Sequence, residues 1–255
     1  MIGYIGRKTL SLIQNIFDLF IFGCKIISGF LDSSKDGKAL VHQIAIEQIY
    51  FTAVQALYII ITIALIVGSL VIWQFEKIAG QYDAGRAVII LVIKELGPII
   101  TAIIIILRSA TAVTVEISYM NILNEIDAIE MLGIDPIRVI CIPRFIGITS
   151  AVVCLIIVFD IAAILGGYFI VWIMGYIQAS DFLWQIVKAI TVKDIVSVVV
   201  KGVCFGIIIT LISMFHGLKS KRQITDIPIK TSKASIDCFF ACIIINLVVS
   251  VVFYV

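Results

Sequence analysis

Three ionisable residues stand where an apolar chain should carry none. Lys94 and Glu95 interrupt one long apolar stretch, followed at once by Gly97 and Pro98, and Asp160 interrupts another. At bilayer depth such groups are costly unless paired or hydrated, so they face another helix or a cavity. Neighbouring residues point to different faces of a helix. Lys94 and Glu95 therefore need separate partners, and Asp160 is the unpaired acid within the apolar runs. Pro98 lacks the N–H that would close the preceding turn, which loosens the helix where a lumen could form. Two roles stay open for these residues: lining a substrate or gating cavity, or locking two helices together by ion pairs. Other chemistry has few candidates. His42 and His216 lie at the edges of apolar runs, with no Ser/His/Asp or Cys/His set around them. The six cysteines lie mostly inside apolar runs without C-x-x-C or zinc spacing, so no catalytic or metal-binding residue is assigned.

The elements that must hold these residues follow from composition. Of 255 residues, 62% are apolar and only 14% charged, and the mean hydropathy is +1.17. Soluble domains run near 45–50% apolar and about 25% charged. The chain reads as an all-α integral membrane protein. Its net charge of +2 and scattered Lys and Arg give no basic face for nucleic acid. Crossing a bilayer as a helix takes about 20 largely apolar residues, and five stretches qualify: 49–75, 87–107, 145–174, 195–215 and 234–255. Residues 1–45 differ. Leu10, Ile13, Phe17, Phe20 and Cys24 recur at helical steps among Arg7, Lys8, Gln14 and Lys25, the pattern of an amphipathic helix lying in the membrane surface. The stretch 16–31 lacks a cleavage pattern, so the N-terminus is expected to be retained. Residues 46–255 form the transmembrane domain.

Orientation follows from Lys and Arg. Thirteen fall in 1–45, 108–144 and 219–233, against five in 75–86 and 176–201. The positive-inside rule puts the first group, and the N-terminus, in the cytoplasm. Five spans then leave the C-terminus outside.

Two further patterns bear on function. Gln48, Thr52 and Gln55 form a polar stripe on the first span, suited to hydrogen bonds between helices. Gly202-x-x-x-Gly206 in the fourth permits close helix approach. Between the second and third spans, the second helix continues past Arg108 and Ala112 to Glu116. Next, 121–133 reads as a short acidic amphipathic helix. Ile122, Ile126 and Ile129 recur at helical spacing, while Glu125, Asp127 and Glu130 take other positions. Asn121 fits an N-cap, Gly133 a C′ glycine and Pro136 a stop. Three acids would sit poorly on an anionic leaflet, so a docking element for a cytosolic partner is the favoured reading.

Taken in order, Lys94-Glu-Leu-Gly-Pro98, Thr101-Ala102, Arg108-Ser-Ala110, Glu116, the run from Glu125 to Glu130, Met131-Leu-Gly-Ile-Asp-Pro136 and Pro143-Arg144-Phe145 resemble the MlaE-type permeases of Mla and Mce lipid-transport ABC systems. The resemblance is strongest over 94–167. It implies a homodimeric permease of a bacterial inner membrane, with its C-terminus periplasmic. It further implies a separate cytosolic ABC ATPase that supplies ATP and Mg, and an MCE-domain lipid-binding protein on the outer face. The whole would move phospholipid and maintain outer-membrane lipid asymmetry. The helix 121–133 becomes a coupling helix, with Glu116, Ile122, Glu125, Ile126, Ile129, Glu130 and Gly133 as ATPase-coupling candidates. Lys94, Glu95, Pro98, Gln55 and Asp160 become lipid-cavity or gating candidates. The chain differs in having Lys94 where the family usually has Arg, and in the loop 216–228. It contains no Gly-x-x-x-x-Gly-Lys-Ser/Thr loop, so ATP hydrolysis belongs to a partner. Without the resemblance, the alternative is an ion- or proton-coupled secondary transporter using Glu95 and Asp160.

Overall fold

The apolar runs fold as helices that bury one another's inner faces and leave the outer faces apolar. The computed structural model describes residues 14, 17–26, 28, 38–79, 89–174, 184, 187–188, 190–220 and 223–254. Most of the N-terminal segment up to residue 16, and residues 87–88 of the second expected span, lie outside the described residues. Five helices are long and apolar enough to cross a membrane: His42–Gln74, Val92–Ile122, Ile137–Ile173, Val192–Leu218 and Asp226–Phe253. The fold class and number of spans expected from the sequence hold.

Helix α1 covers residues 17–26. It runs along the C-terminal half of α7 (Val192–Leu218). Phe22 meets Phe215 at 6.3 Å between ring centroids, and Lys219 Nζ reaches Asp18 Oδ2 at 3.0 Å. Phe17, Phe20 and Ile21 point outward. The first span joins α2 (Lys38–Thr52) to α3 (Leu57–Ala79) through a 3-10 turn at Val54–Ala56.

Helix α4 is one rod with changing pitch: π-helical over Ile89–Leu96, α-helical over Gly97–Ile105, π-helical again over Ile106–Ala110, and α-helical over Thr111–Ile122. The wide turns bracket the segment that opens with Gly97 and Pro98, where the ordinary ladder cannot close. A short α5 (Glu125–Met131) follows, then α6, which opens as a π-helical turn at Ile137–Cys141 and continues over Ile142–Met174. After α7 comes α8 (Asp226–Tyr254).

The core centres on α6, where Ile148, Val152, Leu155 and Phe159 are sealed against neighbours that include Phe205 of α7 and Ile60 and Ala64 of α3. The expected close approach at Gly202 and Gly206 is between α7 and α6: a Cβ on Gly206 would overlap the Thr149 backbone. Large apolar side chains such as Tyr58, Leu65, Phe169, Trp172, Phe240 and Leu247 face outward. Acyl chains solvate such a surface as readily as a protein core would.

The acidic segment begins later than its spacing suggests. Asn121 is not a cap: α4 continues to Ile122, and Asn124 turns the chain in the left-handed region at φ 58°. Asn121 Nδ2 instead donates to the Leu218 and Ser220 carbonyls at 3.1 and 3.0 Å. Those acceptors, orphaned at the end of α7, use the amide better than one more N-terminal N–H would. The far end matches expectation. Gly133 has φ 77°, its N–H bonds to Glu130 O at 2.9 Å, and Ile134 N–H reaches back to Ile129 O at 3.3 Å. This is the paired bonding of a Schellman stop.

Candidate functional site

The π-helical stretch of α4 that ends at Gly97 and Pro98 gathers the intramembrane charges. Pro98 has no N–H to offer the carbonyl of Lys94 four residues back. That carbonyl accepts instead from Lys201 Nζ of α7 at 2.7 Å. The Lys201 side chain is 0% exposed and also reaches Glu95 Oε1 at 3.2 Å. Glu95 accepts further bonds from α8, at 2.7 Å from Asn246 Nδ2 and 2.7 Å from Ser250 Oγ. Lys94 turns the other way and pairs with Asp194 Oδ1 at 2.7 Å. Asp194 is held in turn by Thr191, whose N–H and hydroxyl donate to Oδ2 at 3.0 and 2.7 Å, a capping box at the start of α7. Lys94 and Glu95 thus have separate partners, as their adjacency requires.

Those partners are not Asp160. The ion pairs run from α4 to α7, whereas Asp160 lies on α6 against Gly97. A Cβ on Gly97 would overlap Asp160 Oδ1, so any larger residue there forces the carboxyl to move. Asp160 is 9% exposed, and Oδ1 has no hydrogen-bond partner among the described residues.

Sequence reasoning missed Lys201, Asp194, Asn246 and Ser250. Lys201 falls inside the fourth apolar run, and counting it with the outer loop hides it. Asp194 reads as an ordinary helix-start acid, and Asn246 and Ser250 as isolated polar residues. The spacing of four between the last two, on one face of the fifth span, was the available signal.

Gln55 sits away from this cluster, at the far end of α4. Arg108 donates to Gln55 Oε1 at 2.6 Å and to Phe51 O at 2.9 Å, and its guanidinium lies 5.1 Å from the Phe51 ring centroid. Gln48 Nε2 donates to Thr52 Oγ1 at 3.2 Å. Part of the polar stripe therefore joins the first span to α4.

The second group of expected site residues lies where α4, α5 and α6 meet. Glu116 pairs with the buried Arg144 at the start of α6. Ile126 and Ile129 pack against the hydrophobic core. The opposite face of α5 and its flanks exposes Glu125, Glu130 and Gly133 together with Leu123, Met131 at 88% and Leu132 at 77%. The isoleucines fix the helix to the body, and the surface left outward is acidic with large apolar residues beside it. Ile122 is half-buried in the last turn of α4.

A family described as "Permease MlaE" matches residues 45–252, which includes every one of these charged contacts except the Asp18–Lys219 pair. The chain belongs to the MlaE permease family. This MlaE-family chain is 23% identical to a probable ABC transporter permease protein of Rickettsia bellii over 98% of its own length and 96% of the relative's. It is 28% identical to the intermembrane phospholipid transport system permease protein MlaE of Haemophilus influenzae, over 68% of each chain. A probable ABC transporter permease protein, ycf63, of Porphyra purpurea is 31% identical, again over 68% of each chain. The protein is a multi-pass membrane permease, the transmembrane subunit of an ABC transporter. As an MlaE-family permease it combines two arrangements that its sequence announces only separately: paired charges inside the helix bundle and an acidic handle outside it.

Proposed function

We propose that this permease moves phospholipid between a bacterial inner membrane and an MCE-domain protein on the periplasmic side, as a homodimer driven by two copies of a separate cytosolic ABC ATPase. In this reading the N-terminus is cytoplasmic and the C-terminus periplasmic, and transport serves outer-membrane lipid asymmetry. The observation that carries it is the outward face of α5. Glu125, Glu130, Met131 and Leu132 project from a helix whose inner side is pinned by Ile126 and Ile129. A force applied there passes into α4 and α6 through rigid contacts, among them the Glu116–Arg144 pair. The name of the Haemophilus relative supports phospholipid as the cargo.

Nucleotide-driven closure of the ATPases moves both coupling helices, and the bundle answers by changing between two packings. Lys94, Glu95, Pro98 and Asp160 serve as gating elements because the π-to-α junction of α4 is where its ordinary backbone ladder is interrupted. Reconstitution in liposomes tests this. Labelled phospholipid should leave the membrane only when the ATPase, ATP and an MCE-domain acceptor are all present. Movement by this chain alone under a pH gradient would replace the reading with a secondary transporter.

A further inference from the structure

The charges gathered where the π-helical stretch of α4 meets Gly97 do not balance. Lys94 and Lys201 supply two positive charges, while Glu95, Asp194 and Asp160 supply three negative ones. Both lysines are engaged by the other two acids, which leaves the Asp160 carboxylate uncompensated. A buried carboxylate without a counter-charge is not stable in a low-dielectric medium.

Among the described side chains the neighbouring elements offer no substitute. On α4 the charged groups are Lys94, Glu95 and, farther along, Arg108 and Glu116, and on α7 they are the exposed Lys193, Asp194 and Lys201, with Cys204 and His216 also titratable. On α3, Tyr58 is the only titratable group between Leu57 and Gln74; on α2, His42, Glu47 and Tyr50 lie toward the other end of α6. On α6 itself only Cys154 and Tyr168 are titratable within two turns or so of Asp160.

The Asp160 carboxyl is packed onto the backbone of α4. A Cβ placed on Gly97 would overlap Asp160 Oδ1 and crowd the Val92 carbonyl oxygen, so both oxygens lie against the same glycine. Thr101, one turn along α4 from Gly97, is fully buried, and its hydroxyl also has no partner.

We infer that Asp160 binds a proton where α6 meets Gly97 of α4. Protonation neutralises the carboxylate and lets α6 remain seated against Gly97. Glu95, already held by Lys201, Asn246 and Ser250, needs none.

The test uses the full-length chain in lipid nanodiscs. Infrared spectra of the wild type contain a protonated-carboxyl band that is lost in Asp160→Asn, moved in Asp160→Glu and kept when Asp237, the α8 acid that pairs with His216, is replaced by Asn. Absence of the band in the wild type overturns the inference without any variant, and so does its persistence undiminished in Asp160→Asn. This readout does not involve lipid movement, so the proposed transport function and this site fail or stand separately.

Discussion

At Lys201 an ammonium group is kept inside the bundle by two acceptors that exist for unrelated reasons. One is a carbonyl stranded by Pro98, and the other is a carboxylate also held by α8. Replacing Lys201 with Met removes both bonds and leaves the half-buried Glu95 without its counter-charge, at a cost below the roughly 3–5 kcal/mol of breaking a fully buried pair. The expected outcome is a clear fall in the thermal midpoint in nanodiscs. Adding Glu95→Gln to Lys201→Met should recover part of it. A double variant no more stable than Lys201→Met would show that charge pairing is not what Lys201 provides. Lys94 and Glu95 were legible in the sequence because ionisable residues in an apolar run violate its composition. Their partners were not, because pairing needs the angular position of three helices at once.

Among the elements, α5 is the smallest and the most exposed to test. Its stop depends on Gly133 at φ 77°, where an L-residue pays a steric penalty of about 1–2 kcal/mol. Gly133→Ala should fray the end of α5, read as faster hydrogen exchange at the Gly133 and Ile134 amides with exchange in α6 unchanged. Equal protection in both proteins would mean the stop does not rely on this glycine. The α6–α7 seam makes a second demand. Gly206→Val forces a side chain into the Thr149 backbone, and overpacking of this kind costs about 1–3 kcal/mol. Thermal unfolding of the variant should begin at lower temperature, and an unchanged midpoint would show that the helices separate freely there. Helix ends with their own signals, such as Gly133, were readable. The start of α5 was not, because the end of α7 competes for Asn121.

In the proposed cycle of the whole molecule, an outer handle couples to the inner π-to-α junction of α4. Replacing Met131 and Leu132 together with Glu should leave the permease inserted and folded, since both side chains project outward. Co-elution with the ATPase on size-exclusion chromatography should then be lost. Co-elution at the wild-type level would remove α5 as the docking element and leave the α4 junction without a motor.

Composition and periodicity determined by themselves that this chain is a five-span helical membrane protein with an acidic segment between the second and third spans. Those properties depend on the transfer of runs of residues out of water and on the satisfaction of backbone bonds within each helix, both local in sequence. The tertiary structure alone decided that Lys94 belongs to Asp194, that Glu95 belongs to Lys201, and that Asp160 is left facing Gly97. Ion pairs between helices depend on crossing geometry and rotation about each axis. Residues a hundred or more positions apart in the chain meet there, and no periodicity within one helix encodes which of them will.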